Sequence, residues 1–180
     1  MVAKHLILFL LVASVATVAS IQVMFEQFKQ CTSNGVLDCN LRVRKVNRTL
    51  ATLYGNATLN VDLGDDFVTS INLYRSMLGN NQYNHYPMKV SPTGICKFMK
   101  EHWGDYYAFI VVYVPQMEKP GVCPITARQL QFNDMVLDER MFPQFVPTGL
   151  WKLVMRADNG QTGQYFQLEV IFRVYPDGHF

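Results

Sequence analysis

The sequence predicts a mainly β fold, a β-sandwich or β-cup, with one helical segment near residues 93–113. Short runs of alternating apolar and polar residues, separated by turn residues, recur along most of the chain. The strongest pair, residues 150–157 and 165–175, flanks a polar loop with two glycines and indicates a hairpin. Only between Cys96 and Cys123 do apolar residues recur at steps of three and four, which is helical spacing.

The first 20 residues are predicted to be a signal peptide. Lys4 precedes an apolar run over residues 6–15, and the small residues of Val18-Ala19-Ser20 favour cleavage after Ser20. The run is shorter than the roughly 20 residues that a membrane span needs. We therefore expect a secreted, extracellular protein with no transmembrane span in its mature chain and a single domain over residues 21–180.

The predicted elements follow in order. Residues 21–36 are expected to lead into the first strand, and residues 82–90 form a short tyrosine-rich segment. The helix is predicted from residue 92 or 93 to Tyr113, with an interruption at Gly104. Alternation predicts five strands, at residues 37–44, 47–54, 57–63, 67–75 and 125–132. A turn at Gly55-Asn56 is predicted between the second and the third of them.

Four cysteines lie after the predicted signal peptide, and an even number in an exported chain indicates two disulfides. Three pairings are possible, and we favour the sequential one, Cys31–Cys39 and Cys96–Cys123. Zinc is the alternative, but the chain has no Cys-x-x-Cys spacing and no histidines near the cysteines. We expect neither a metal nor a cofactor.

The charge of the predicted mature chain limits the classes of partner it can bind. Removing Lys4 leaves 15 basic against 14 acidic residues, and a near-neutral balance argues against nucleic acid. The local basic cluster Arg42-Arg44-Lys45-Arg48 is either a solvated strand face or a contact for anionic lipid headgroups.

Asn47-Arg48-Thr49 and Asn56-Ala57-Thr58 predict N-glycosylation at Asn47 and Asn56.

No catalytic motif is present. The chain contains no Gly-x-Ser-x-Gly, no His-Glu-x-x-His and no phosphate-binding glycine loop. His102 lies near Glu101 and Asp105, but the pattern favours a solvent-facing position on the helix. We therefore expect no catalytic residues and a protein that is not an enzyme.

The apolar side chains of the helical segment, with two aromatic strand residues, are the candidate ligand contacts. Binding sites for hydrophobic molecules are concave and mostly apolar, and the alternative is that these residues fill the core. A second function remains open, an extracellular protein-interaction module without a bound small ligand. In it the helix and the tyrosine-rich segment Tyr83–Tyr86 would bind an extracellular or membrane-surface protein. The candidates for a pocket or flap are Phe98, Met99, Trp103, Tyr106, Tyr107, Ile110, Trp151 and Phe166.

The order of several short motifs resembles a large insect family of small secreted four-cysteine proteins that contain a domain of unknown function. The motifs span nearly the whole mature chain: Cys31 and Cys39, Cys96-Lys97-Phe98-Met99, Cys123-Pro124, Pro147-Thr148-Gly149-Leu150-Trp151, and the last strand, 165–174. One position departs from the family pattern, because Lys119-Pro120-Gly121-Val122 replaces the usual Asn before Cys-Pro.

That family looks related to lipid-recognition proteins, which include the ganglioside activator and certain gustatory pheromone-response proteins. The resemblance implies an immunoglobulin-like β-sandwich or β-cup that opens between its sheets to hold an apolar ligand. It also implies a non-enzymatic carrier, presenter or chemosensory accessory role for a hydrophobic small molecule or lipid.

Overall fold

The computed structural model describes residues 21–143 and 145–176 of the 180-residue chain. The predicted signal peptide lies outside the described residues. The elements, in chain order, are β1 (Ile21–Ser33), β2 (Leu37–Lys45), β3 (Ala51–Leu59), β4 (Val68–Ser76), β5 (Asn84–Gly94), α1 (Ile95–Glu101), α2 (Gly104–Ile110), β6 (Arg128–Met135), a 3₁₀ turn (Glu139–Met141), β7 (Gly149–Asp158) and β8 (Tyr165–Pro176).

Two sheets pack face to face, which confirms the predicted mainly β sandwich with a helical segment. The larger sheet has the order β1-β8-β7-β4-β5 and the smaller one β2-β3-β6, with antiparallel pairing throughout. Side chains from both sheets share one buried cluster, in which Leu37 and Leu59 of the small sheet meet Ala157 and Phe166 of the large sheet. The predicted hairpin is also confirmed as β7 and β8.

The predicted lead-in over residues 21–36 is wrong, because most of it forms the 13-residue edge strand β1. Its pairing with β8 shifts register twice, between Phe25 and Gln27 and again between Phe28 and Gln30. Each bulge adds one residue and reverses the alternation. Phe25 and Phe28, three residues apart, therefore both reach the same apolar cluster, and the alternating pattern of a strand is hidden in the sequence.

The predicted turn at Gly55-Asn56 is also wrong. The strand β3 runs through both residues and pairs with β2 on one side and β6 on the other. Gly55 has a φ of +123°, and a Cβ there would overlap the backbone oxygen of Asn40. The glycine thus permits a close approach of two strands.

The helical segment is two short helices. It begins at Ile95, later than the predicted residue 92 or 93, and ends at Ile110, earlier than the predicted Tyr113. The preceding residues, including Pro87 and Pro92, belong to β5, an edge strand of the large sheet where proline is tolerated. The helical break falls at His102 and Trp103, immediately before Gly104. The strand predicted at 125–132 lies three residues further along, as β6.

Both predicted disulfides are present. Cys31–Cys39 joins β1 to β2 and so links the two sheets at one side of the sandwich. Cys96–Cys123 joins the first turn of α1 to the connection before β6. The described residues contain no free cysteine.

Candidate ligand-binding site

An apolar cavity of about 200 Å³ lies between the two sheets. The small sheet supplies one wall, the ends of β7 and β8 supply the opposite wall, and α1 with the connection after α2 covers the open side. The small sheet contributes Leu37, Cys39, Leu41, Ala57, Leu59, Leu130 and Phe132, and the large sheet contributes Met155, Phe166 and Leu168. The remaining walls consist of Leu63, Ile95, Phe98, Met99, Trp103, Met117, Glu118 and Ile125.

The cavity lies where the central strand of the small sheet carries a small side chain. Ala57 is paired in register with Cys39 on β2 and with Leu130 on β6, and all three line the cavity. A methyl group between two larger neighbours leaves volume that the opposite sheet does not fill. The position of Ala57 therefore accounts for part of the opening.

The inner face of α1 forms one wall because its apolar residues recur at helical spacing. Ile95, Phe98 and Met99 lie on the same side and are 1%, 5% and 3% exposed. Lys97 and Glu101, four residues apart, form an ion pair between exposed side chains. Of the predicted candidates, Phe98, Met99, Trp103 and Phe166 line the cavity. Their role as ligand contacts stays a prediction.

The other predicted contacts lie elsewhere. On α2, Tyr106 is 36% exposed, Tyr107 contacts the ring of Trp103, and Ile110 packs against a cluster built around Phe25. None of these three lines the cavity. The α2 helix therefore contributes none of the lining residues.

Trp151 lies on the inner face of the large sheet but outside the cavity. It is fully buried, its ring is 4.7 Å from that of Tyr86, and it stacks at 6.3 Å on Phe172. Its indole Nε1–H donates to the backbone oxygen of Pro147 at 3.0 Å. Trp151 is thus a core residue of the neighbouring cluster.

A polar network holds the connection after α2 against α1, and the sequence patterns do not predict it. Trp103 Nε1–H donates to the backbone oxygen of Glu118 at 2.8 Å, and the Glu118 carboxylate accepts from the Arg128 guanidinium. Arg128 also donates to the backbone oxygen of Gln116 at 3.1 Å. Three elements therefore meet at Glu118, the one ionisable residue among those lining the cavity.

A backbone hydrogen bond fastens the same connection at a second point. Gly121 donates its N–H to the oxygen of Met99 at 3.0 Å, and the Cys96–Cys123 disulfide lies beyond it. Gly121 has a φ of +76°, which glycine adopts without strain. The glycine stands in the segment Lys119-Pro120-Gly121-Val122, and it lets the chain turn back onto α1.

The basic cluster lies on the edge strand β2 and in the turn after it. Arg44 forms a 2.7 Å ion pair with Asp134, and its guanidinium lies 5.2 Å from the Tyr54 ring. Arg42, Lys45 and Arg48 are exposed. This exposure is compatible with either interpretation, a solvated face or a headgroup contact.

The two predicted glycosylation sites differ in setting. Asn47 is exposed in the turn between β2 and β3, and its side-chain oxygen accepts from the N–H of Thr49 at 2.8 Å. Asn56 is half-buried in the central strand β3, where it pairs with Asn40 and Gln131. Occupancy of both sequons stays a prediction.

His102 lies at the break between α1 and α2, where the centroid of its ring is 5.9 Å from that of Phe98. Within residues 21–143 and 145–176, no group of His, Cys, Asp and Glu side chains could hold a metal ion. In the same residues, no helix combines the length and hydrophobicity that crossing a membrane requires.

Comparisons with known proteins support the coarse form of the predicted resemblance. No curated protein matches the chain. A family model described as a protein of unknown function, DUF1091, matches residues 69–153. The match runs from β4 to the middle of β7 and includes α1, α2 and the connection carrying Glu118. Over this stretch, the chain is therefore similar to a domain of unknown function.

Proposed function

We propose that the protein is a secreted, non-enzymatic binding protein for a small hydrophobic molecule or a lipid chain, in a carrier, presenter or chemosensory accessory role. The observation that carries this proposal is the cavity between the sheets. Its lining is apolar apart from Glu118, whose carboxylate pairs with Arg128. Such a lining offers burial and few directional contacts, as sites for hydrophobic ligands do.

The volume narrows the ligand class. Apolar cavities of about 150 Å³ lined by aliphatic and aromatic residues stay dry and bind benzene. At about 200 Å³, this cavity has room for a small hydrocarbon or for part of one acyl chain. A longer lipid would require the α1 wall to move, and Met99 and Met117 are flexible side chains suited to such repacking.

Two features support an extracellular setting. Disulfides persist in oxidising compartments, and the chain contains two. The apolar run before Ile21 has the length and flanking residues of a signal peptide. N-terminal sequencing of protein recovered from the medium should begin at Ile21.

Direct binding tests the proposal. Benzene and a series of straight-chain hydrocarbons, titrated into the purified protein, should shift the NMR signals of Phe98, Met99 and Leu130. Organic extraction followed by mass spectrometry should recover an apolar molecule from protein produced in its native secretory route. Absence of both extracted ligand and hydrocarbon binding would refute the proposal.

A matched pair of variants locates the binding. Ala57→Leu fills the cavity, so it should abolish hydrocarbon binding while leaving the protein folded. Ala51→Leu adds the same side chain in a neighbouring buried cluster. Ala51 is 3% exposed, as buried as Ala57, but it does not line the cavity. This substitution should cost about 1–3 kcal/mol of stability and leave binding intact. Equal binding by A57L and the wild type would place the ligand elsewhere.

A protein-interaction module is the second candidate, and a specific observation favours it. Met77, Leu78 and Phe145 are 71%, 83% and 78% exposed. They lie in the connections that enclose one end of the large sheet, next to the Arg75–Thr148 hydrogen bonds. Met77→Ser with Leu78→Ser should leave hydrocarbon binding unchanged, so the two functions can be separated.

A further inference from the structure

The outer face of the large sheet contains a second depression, unrelated to the apolar cavity. One cross-strand row runs over all five strands, because Gln27 pairs with Ile171, Ile171 with Lys152, Lys152 with Tyr74, and Tyr74 with His85. The connection between β4 and β5 folds over this row. The resulting outer groove has a volume of about 490 Å³ and is lined by Gln27, Lys29, Asn81, Tyr83, Lys152 and Ile171.

Two aromatic rings hold the central cation of the outer groove in place. The Lys152 ammonium lies 4.9 Å from the centroid of Tyr74 and 5.0 Å from that of Tyr83. The Tyr74 ring is itself held edge-on by His85, with centroids 5.4 Å apart. Rings attract a cation without neutralising its charge, so Lys152 presents a positioned positive charge to the groove.

The carboxylates around the outer groove are already committed to other cations. Glu26 pairs with Arg173 at 2.7 Å, and Glu169 lies 3.9 Å from Lys29. None of the ion pairs within the described residues includes Lys152. The groove lining contains no acidic residue, and of its two lysines Lys29 is paired with Glu169 while Lys152 is not. The unpaired charge of Lys152 therefore favours an anion.

The remaining lining groups are hydrogen-bonding. Asn81 and Gln27 each offer an amide that both donates and accepts. Burial raises the pKa of Tyr83, with the nearby charges of Arg173 and Glu26 acting in opposite directions. Its hydroxyl therefore stays protonated at neutral pH, and it lies 3.5 Å from the Asn81 side-chain oxygen. These groups suit a partner that carries hydroxyls as well as a negative charge.

We infer that the outer groove binds an acidic sugar, with the sugar carboxylate paired to Lys152 and its hydroxyls bonded to the Asn81 and Gln27 amides and to Tyr83. A groove of this volume falls in the range of small-molecule sites, about 300–1,000 Å³. The binding is independent of the apolar cavity, since the two lie on opposite faces of the sheet.

Glucuronate and glucose form the matched probe pair, because they share a ring and differ in the carboxylate. We expect glucuronate to shift the NMR signals of Lys152 and Tyr83, to bind at least tenfold more tightly than glucose, and to bind more weakly as salt is added. Equal binding of the two sugars, or no shift at the groove with either, would overturn the inference.

Variants separate the outer groove from general surface charge. Lys152→Met keeps the unbranched stem and removes the charge, so glucuronate affinity should fall at least tenfold. Lys45→Met removes one exposed charge from β2 on the other sheet and should leave the affinity unchanged. If K152M does not fold, Asn81→Gly tests the same site, because Asn81 has a φ of +63° that glycine accepts. Unchanged affinity in the folded variant would refute the assignment.

Discussion

Trp103 donates its indole N–H to the backbone oxygen of Glu118 at 2.8 Å and thereby joins the break between α1 and α2 to the connection that covers the cavity. The same Glu118 pairs through its carboxylate with Arg128 at the start of β6. This connection, called the cover below, is thus tied to the helical segment by one side-chain hydrogen bond, one backbone hydrogen bond and a disulfide, and to β6 by the ion pair.

Loss of the Trp103 hydrogen bond should loosen this cover. Trp103→Phe keeps an aromatic wall but removes the donor, and a net hydrogen bond contributes about 1 kcal/mol, which corresponds to about a fivefold change in an equilibrium. We expect amide hydrogen exchange of Gly121 and Val122 to accelerate about fivefold and a bound hydrocarbon to dissociate faster.

Trp151→Phe is the matched control, because Trp151 also donates its indole N–H to a backbone oxygen, that of Pro147, but lies outside the cavity. It should lower the free energy of unfolding without changing exchange at Gly121. Equal effects of W103F and W151F on that exchange would show that the Trp103 bond does not hold the cover.

The two disulfides should differ in what they stabilise. Cys96 and Cys123 are separated by 27 positions and Cys31 and Cys39 by 8. Loop-closure entropy assigns about 3–4 kcal/mol to the longer loop and about 2–3 kcal/mol to the shorter one. Urea unfolding of the paired Cys→Ala variants should show this order.

Hydrocarbon binding adds a second readout to the disulfide comparison. Removing Cys96–Cys123 frees both the first turn of α1 and the cover, so it should weaken binding more than removing Cys31–Cys39, which links strands β1 and β2. Peptide mapping of the unreduced protein should recover Cys96 and Cys123 in one linked fragment. A stronger binding defect after loss of Cys31–Cys39 would contradict the role given to the cover.

The ion pair at the 3₁₀ turn should make stability depend on acid pH. Hydrogen bonds from the Arg140 side chain lower the pKa of Asp138, with burial acting in the opposite direction and the Arg140 backbone N–H and charge lowering it further. A carboxylate with a lowered folded pKa stabilises the protein above its unfolded pKa, near 4. That contribution is lost as the pH falls through the folded pKa.

Asp138→Asn tests this dependence, since it keeps an oxygen to accept from the N–H of Arg140 and removes the charge. The stability difference between wild type and D138N, measured by urea unfolding, should be present above about pH 5 and should shrink as the pH falls below about 4 and through the lowered folded pKa of Asp138. Glu139→Gln changes a charge in the same turn without removing the cap and controls for net charge. A difference that persists unchanged at pH 2–3 would contradict the assignment.

Comparing the predicted strands with the observed ones shows which sequence patterns predict a strand. β2, β4, β7 and β8 are predictable because apolar and polar residues alternate along them and turn residues bound them. β1 escapes prediction because two bulges reverse its alternation. The prediction divides β3 at Gly55 because glycine is common both in turns and where two backbones approach closely. Only the position of the neighbouring strand β2 shows that Gly55 belongs to the second kind.

The residues of the candidate site also differ in how far the sequence predicts their positions. The helical spacing of Phe98 and Met99 is a local pattern, and it suffices to place both on one face of α1. Trp151 and Ile110 have the same apolar character, yet they belong to other clusters. Glu118 has no sequence signal, because a charged residue in a connection between prolines is ordinary. Its role comes from contacts with residues 10 to 15 positions away.

The sequence by itself determined the secondary-structure class, the even number of cysteines and the apolar face of α1, because periodicity and residue type are local properties. Only the tertiary structure decided that α1 covers the open side between two sheets, that Ala57 leaves a cavity there, and that Lys152 is held between two tyrosine rings on the opposite face. A cavity or a groove forms where side chains that are distant in sequence come together and leave space unfilled. Local sequence patterns therefore do not encode it.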